Sequence, residues 1–133
     1  MAELDEVFVK EMVAHGLREF PNECCGLIAA NGDGRPVKIF PMRNADASPV
    51  TYRLDGKEQL EVFEEMEERG WDLWAIFHSH THSDAYPSET DIRLAFYPDS
   101  RYVLVSLADR EVPVIRSFFI REGEVEEEEL VIA

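Results

Sequence analysis

Three of the four histidines in this sequence lie within five residues, at His78, His80 and His82. Side chains two positions apart on an extended chain point to the same side, so His78 and His80 can present two imidazoles on one face. Asp91 lies in the first turn of a predicted helix and offers a carboxylate as third ligand. Two histidines and one carboxylate leave a fourth zinc position for water, which is typical of catalytic rather than structural sites.

Each part of this pattern also has an ordinary structural interpretation. A His-x-His pair is often incidental, and Ser88 with Asp91 has the Ser-x-x-Asp spacing of a helix-capping box. The two roles are compatible, because a capping bond would fix the orientation of Asp91. The joint spacing is what indicates a metal site: His78-x-His80, seven residues, Ser88, two residues and Asp91.

This joint spacing resembles the JAMM signature of the MPN+ metallopeptidases, and the resemblance runs over nearly the whole chain. The upstream acid of that signature matches Glu23, within residues 21–28 (PNECCGLI). Residues 44–55 (NADASPVTYRLD) are similar to the corresponding stretch of short bacterial members. Among these, the chain is most similar to the sulfur-carrier-protein–cysteine hydrolase type, which removes a cysteine from the C-terminal glycine of a ubiquitin-like carrier.

The resemblance implies a role for each matched residue. His78, His80 and Asp91 would hold a zinc ion, which lowers the pKa of bound water towards about 7. Glu23 would act as general base and pass the proton to the leaving amine, and Ser88 would hydrogen-bond the substrate carbonyl oxygen. The implied partner is a ubiquitin-like sulfur-carrier protein with a C-terminal Gly-Gly tail.

Three other functions stay open at this point. One is an isopeptidase for another ubiquitin-like modifier, although the chain lacks long insertions around the metal motif. The second is a metal-dependent hydrolase of small amides, and the third is a non-catalytic MPN-type scaffold. The identity of the metal is open as well, because other divalent ions bind similar ligands.

Three further residues could do chemistry but lie outside the signature. His82 is a loop histidine, a substrate contact or a neighbour that supports the ligands. Cys25 could be a nucleophile, but an apolar strand that begins with Cys24-Cys25-Gly26 more simply needs small residues. His15 lies on the first predicted helix, where it is exposed or packed.

Length and charge restrict the remaining possibilities. The chain has 133 residues, which predicts a single domain over residues 1–133. It carries 13 Lys and Arg against 28 Asp and Glu, a net charge of −15 that argues against nucleic-acid binding. The acidic surface keeps the protein solvated or steers a basic partner. We expect no membrane segment and a cytoplasmic location, since the two cysteines are adjacent. The oligomeric state is not predicted.

The periodicity of the sequence predicts the elements around the motif. We expect helices over residues 3–19, over residues 55–69 with Leu60, Phe63 and Met66 facing inward, and over about eight residues from Ser88. The predicted strands are residues 24–30, 36–42, 71–77, 102–107, 112–120 and 125–132, and residues 43–54 form a loop. The family implies a three-layer α/β fold of the cytidine-deaminase-like type, with a curved mixed β-sheet flanked by helices.

Overall fold

The computed structural model describes residues 1–133, which form eight strands and three helices. The helices are α1 (Glu6–Glu19), α2 (Gly56–Arg69) and α3 (Glu89–Arg93). The strands are β1 (Ala2–Leu4), β2 (Cys25–Ala30), β3 (Pro36–Met42), β4 (Asp72–His80), β5 (Arg101–Ser106), β6 (Val114–Arg121), β7 (Glu124–Glu128) and β8 (Leu130–Ile132). None of the helices has the length and apolar character that crossing a bilayer requires.

Six of the strands form one mixed sheet in the order β3-β2-β4-β5-β6-β7. Only β4 and β5 run parallel, and the other neighbours are antiparallel. Strand β4 therefore lies near the middle of the sheet, where it is buried from Trp74 to His80. Strands β1 and β8 form a separate parallel pair that joins the two ends of the chain.

The two faces of the sheet support two apolar clusters. One cluster contains Phe77 of β4 and is covered by α1 through Met12. The other contains Ile76 of β4 and is covered by α2 through Phe63. Because neighbouring residues of a strand point to opposite faces, His78 and His80 continue the face of Ile76. The helices thus flank a mixed sheet, as the family resemblance implied.

The helix ends follow the capping rules that the sequence contains. The side chain of Asp55 accepts a hydrogen bond from the Glu58 N–H at the start of α2. Gly70 ends the helix in the left-handed conformation at φ 69°. The predicted start and end of this helix are confirmed. Its predicted inward face is partly wrong, because Leu60 is 60% exposed while Met66 is buried.

Three other predicted elements differ from the structure. Helix α1 begins only at Glu6, because Ala2–Leu4 pairs with β8 and Asp5 caps the helix. Helix α3 has five residues instead of about eight, and the chain leaves it well before Pro98. The last predicted strand is divided at Glu129, where the chain leaves the large sheet to pair with β1.

Candidate active site

The two histidines of the motif lie at the end of β4 and point to the same side. Their Nε2 atoms are 3.2 Å apart. Asp91 Oδ2 lies 3.1 Å from Nε2 of His78 and 2.9 Å from Nε2 of His80. His78 is completely buried and His80 is 5% exposed. The extended-strand spacing and the downstream carboxylate therefore converge on one point, as the motif predicted.

Asp91 reaches this point because a complete capping box holds the start of α3. The Asp91 N–H donates to Ser88 Oγ at 3.0 Å, and the Ser88 N–H donates to Asp91 Oδ2 at 2.9 Å. The structural interpretation of Ser88 and Asp91 is thus correct, and it coexists with the metal-ligand geometry. The oxygen that accepts the cap bond, Oδ2, is also the one that faces both histidines.

The three ligand atoms fit a divalent metal ion. His80 Nδ1 lies 2.8 Å from the Asp84 carbonyl oxygen, so Nδ1–H donates, and the ring in its neutral form offers the lone pair of Nε2 to an ion. That lone pair faces a carboxylate oxygen, and two acceptors at this distance require a cation or a proton between them. A tetrahedral ion with ligand bonds of about 2.0–2.1 Å separates its ligand atoms by about 3.4 Å, close to the observed spacing.

Burial and the contacts with Asp91 shift the pKa values of the two histidines in opposite directions. Burial lowers the pKa of His78, which favours the neutral ring that binds metal. Burial would also lower the pKa of His80, but the hydrogen bonds to Asp91 and Asp84 outweigh it and raise the pKa. Burial alone would raise the pKa of Asp91, yet the hydrogen bonds from the two histidines hold it well below its usual range. Asp91 therefore stays ionised.

A different environment surrounds Glu23. The residue is 4% exposed, and its Oε1 atom is buried without a hydrogen-bond partner. Burial raises its pKa from the ordinary 4.5 to about 8, against the opposing effect of His80 and with a smaller contribution from Asp91. Glu23 is thus close enough to His80 and Asp91 for their charges to affect its pKa. An unsatisfied carboxylate in such a position can accept a proton from a water molecule and release it again.

Backbone hydrogen bonds fix Glu23 beside the histidines. The Cys24 N–H donates to Ser79 Oγ at 2.8 Å, and the Ser79 N–H donates to the Cys24 carbonyl at 3.1 Å. Ser79 stands between the two histidines and points to the opposite face of the sheet. Glu23 itself donates its N–H to the Ser48 carbonyl at 2.9 Å. The segment before β2 is therefore tied both to β4 and to the loop of residues 43–54.

The residues outside the signature lie outside the ligand cluster. His82 is exposed, and its Nδ1 atom lies 2.9 Å from Thr81 Oγ1. His15 is buried, with Nε2 between the Cys25 and Met42 carbonyls. Burial raises the pKa of the Cys25 thiol far above its usual range, which opposes formation of a nucleophilic thiolate. The packing interpretation of Cys25 therefore holds.

Sequence reasoning overlooked Tyr52 and Asn44. The ring of Tyr52 stacks on His78 with centroids 4.3 Å apart and planes at 21°. Asn44 donates a side-chain hydrogen bond to the Glu23 carbonyl at 3.1 Å. Residues 43–54 lack periodicity, so nothing local in the sequence distinguishes these two positions; only the family-like stretch of residues 44–55 marked the region.

The chain matches one protein-family model, described as prokaryotic homologues of the JAB domain, over residues 5–121. It is 48% identical over 121 residues to the CysO-cysteine peptidase of Mycobacterium tuberculosis, covering 90% of this chain and 83% of that protein. It is 34% identical over 117 residues to a probable TtuB-protein conjugate cleaving protease of Thermus thermophilus, covering 87% of this chain and 74% of that protein.

A solved structure shares both fold and sequence with the chain. The solution structure of a Desulfitobacterium hafniense protein superposes with a TM-score of 0.90 at 38% identity. The match covers 100% of this chain and 93% of the other. The mixed sheet and its flanking helices therefore also occur in this solved structure.

Proposed function

Since this chain belongs to the family of prokaryotic JAB (MPN) domains, we propose that it is a zinc-dependent amide hydrolase. Its proposed substrate is a ubiquitin-like sulfur-carrier protein, from whose C-terminal glycine it releases cysteine or a short C-terminal extension. The similarity to a CysO-cysteine peptidase supports this substrate. The observation that carries the proposal is the convergence of His78, His80 and Asp91 near the buried, unpartnered carboxylate of Glu23.

His78, His80 and Asp91 are the proposed zinc ligands, and their own chemistry suits the role. Two neutral imidazoles and one carboxylate leave room for water and substrate. When bound, the ion polarises the amide carbonyl and lowers the pKa of water, so that a nucleophile is available near neutral pH. The capping box and the Asp84 carbonyl orient Asp91 and His80 before any ion binds.

Glu23 is the proposed general base and acid. Its buried Oε1 takes a proton from the attacking water as the water oxygen bonds to the carbonyl carbon. The carbon–nitrogen bond then breaks, and Glu23 gives the proton to the leaving amine. In the absence of an ion, burial raises the pKa of Glu23 to about 8. A bound cation would lower this pKa, so that the group can both take up and release a proton near neutral pH.

Ser88 is the proposed donor to the developing oxyanion. Its Oγ already accepts the Asp91 N–H, but no protein atom accepts its hydroxyl hydrogen. The residue is exposed at the start of α3, so the hydroxyl can reach a substrate. A positioned donor of this kind is worth about 3 kcal/mol to a tetrahedral intermediate.

A groove beside Asp91 supports a protein tail as substrate. Its volume is about 310 Å³ and it lies between the 43–54 loop, α2 and the segment after α3. Most of its lining is apolar or aromatic, including Tyr52, Leu54, Leu94, Phe96 and Tyr97. Phe96 is 72% exposed at its rim. A largely apolar groove that reaches Asp91 suits an extended protein tail, such as one that ends in Gly-Gly.

The domain extent, the location in the cell and a second candidate substrate also belong to this proposal. We propose that residues 1–133 act as one domain, with the Glu23–Asp91 site as its catalytic centre. A cytoplasmic location is supported by Cys24 and Cys25, which are both free thiols. An isopeptidase acting on another ubiquitin-like modifier is the second candidate, and the similarity to a TtuB-protein conjugate cleaving protease favours it.

Mass spectrometry of carrier conjugates tests the proposed function. The zinc-loaded protein is mixed with a Gly-Gly carrier bearing an amide-linked cysteine, and in parallel with the same carrier joined to a lysine side chain. We expect release of free cysteine, loss of activity with chelator and recovery with added zinc. Faster cleavage of the lysine-linked conjugate would establish the second candidate. Stoichiometric zinc without cleavage of either conjugate would overturn the hydrolase proposal in favour of a scaffold.

A further inference from the structure

We propose that Tyr52 and Asn44 are positioning residues of this site. Tyr52 holds the imidazole of His78 by stacking, and Asn44 ties the loop that carries Tyr52 to the backbone of Glu23. The loop thereby holds a proposed metal ligand, His78, and the proposed general base, Glu23, in a fixed position relative to each other. The inference rests on the proposed metal site, and it adds residues that the motif does not contain.

The two histidine ligands are held in different ways. His80 has a hydrogen-bond partner on its outer nitrogen, the Asp84 carbonyl at 2.8 Å. The corresponding Nδ1 atom of His78 is buried and has no partner. A metal-binding histidine is normally oriented by a hydrogen bond on its second nitrogen. His78 therefore needs another contact that fixes the plane of its ring.

Tyr52 supplies that contact. The centre of its ring lies 4.3 Å from that of His78, with 21° between the planes, an arrangement that restricts rotation about the Cβ–Cγ bond of His78. The other ring against His78 is that of His80, which meets it nearly edge-on at 63°. Tyr52 also lines the groove beside Asp91, so its position affects both the ligand and the path to it.

Asn44 fixes the loop by using both ends of its amide. Oδ1 accepts from the N–H groups of Asp46 and Arg53 at 3.0 and 3.1 Å. Nδ2 donates to the carbonyls of Thr51 and Glu23 at 2.9 and 3.1 Å. The first three bonds close the loop on either side of Tyr52. The fourth bond connects it to the segment that carries the general base.

Two further contacts show that this loop is fastened at several points around the site. The Ser48 carbonyl accepts the N–H of Glu23 at 2.9 Å. The Pro49 carbonyl accepts the hydroxyl of Thr81, the residue after His80, at 3.0 Å. A shift of the loop would therefore disturb Glu23, His78 and the end of β4 together.

Zinc affinity of Tyr52 variants tests the stacking. Competition with a chromogenic chelator measures the affinity of the full chain without reference to any substrate. We expect Tyr52→Leu to weaken zinc binding by about 10- to 100-fold, as loss of a supporting contact does in other metal sites. Tyr52→Phe keeps the ring and should bind zinc within about twofold of the wild type, because no protein group bonds the Tyr52 hydroxyl in this structure.

A matched pair of asparagine variants tests the loop. Asn31 also accepts two backbone N–H groups through Oδ1, those of Asp33 and Arg35, but its amide nitrogen bonds nothing in the protein. Asn31→Ala should therefore change neither zinc affinity nor kcat. Asn44→Ala should lower kcat by about 10-fold or more with a smaller change in KM, since it loosens Glu23 and His78 together.

The outcomes separate this inference from the proposed function. A folded Tyr52→Leu protein that binds zinc as the wild type does would overturn the stacking role, whatever the substrate proves to be. Equal kcat for folded Asn44→Ala and Asn31→Ala would overturn the loop role. If Asn44→Ala does not fold, the zinc affinities of Tyr52→Leu and Tyr52→Phe still test the stacking role of Tyr52. A wild type that binds zinc but cleaves no conjugate leaves the affinity test intact.

Discussion

Asp91 is a half-buried and Glu23 a buried carboxylate of one site, yet their surroundings shift their pKa values in opposite directions. Asp91 receives hydrogen bonds from two histidines and from the Ser88 N–H, which hold its pKa well below the usual range. Glu23 has an unpartnered oxygen, and burial raises its pKa to about 8. This difference supports the proposed roles, because a group that stays ionised suits a metal and a group whose pKa is raised towards neutrality suits proton transfer.

The largest effect is expected from Asp91→Asn, which replaces the ionised ligand by a neutral amide of the same shape. We expect loss of stoichiometric zinc and a fall in turnover to the level of chelator-treated protein, at least about 10,000-fold. Inductively coupled plasma mass spectrometry measures the bound zinc. An Asp91→Asn protein that retains one zinc and full turnover would show that Asp91 is only a helix cap.

Glu23→Gln probes the other carboxylate and should separate the two roles. The amide cannot carry a proton between water and amine, so kcat should fall by about 100- to 10,000-fold. Zinc content should stay near one per chain, unlike that of Asp91→Asn. Turnover close to the wild type would contradict the role of Glu23, and loss of zinc would make Glu23 a ligand.

Ser88→Ala sharpens the Asp91 side of the comparison, because Ser88 both caps the helix and offers its hydroxyl hydrogen. We expect kcat to fall by about 100-fold and the unfolding free energy by about 1 kcal/mol. Ser88→Thr keeps the hydroxyl and the cap, so it should recover most of both. If kcat is unchanged while stability falls, Ser88 is a cap alone.

The last prediction concerns stability and not turnover: the stability of the zinc-free protein should depend on pH. The pKa of Glu23 is 4.5 ordinarily and about 8 in the folded chain, so between these values the folded state binds more protons than the unfolded state. Stability should therefore fall as pH rises through this window, by about 1–4 kcal/mol. Glu23→Gln should remove the part of this decrease in stability that is due to Glu23.

Urea titrations with chelator, from about pH 5 to about pH 8, measure this pH effect. Glu61→Gln, on the exposed face of α2, serves as the control for loss of one acidic group. Parallel stability curves for the wild type and Glu23→Gln would mean that Glu23 is not desolvated in the way described. Added zinc should reduce the difference, because a nearby cation favours the ionised carboxylate.

The proposed metal ligands could be predicted from spacings between residues that are close in the sequence. The spacing of His78 and His80 follows the period of a strand, and the spacing of Ser88 and Asp91 follows a helix cap, so both could be predicted from elementary geometry. The mixed sheet flanked by helices came from the family resemblance. Leu60 was misplaced, since apolar periodicity alone does not decide which apolar residue of α2 is covered.

The other half of the site depends on contacts between distant parts of the chain. Glu23 stands far from residue 78 in sequence, and it is brought there by the hydrogen bonds between Cys24 and Ser79. No local sequence pattern predicts such a hydrogen bond, and only the resemblance to a family indicated Glu23. Tyr52 and Asn44 act through a loop without periodicity, so they became visible only in three dimensions.

A crystal structure of the zinc-loaded protein, with data collected on both sides of the zinc absorption edge, tests the contrast between the two carboxylates most directly. One anomalous peak should lie about 2.0–2.1 Å from Nε2 of His78, Nε2 of His80 and Oδ2 of Asp91. A solvent molecule should stand between that ion and Glu23. Direct ligation by Glu23, or a peak centred on His82, would contradict the account.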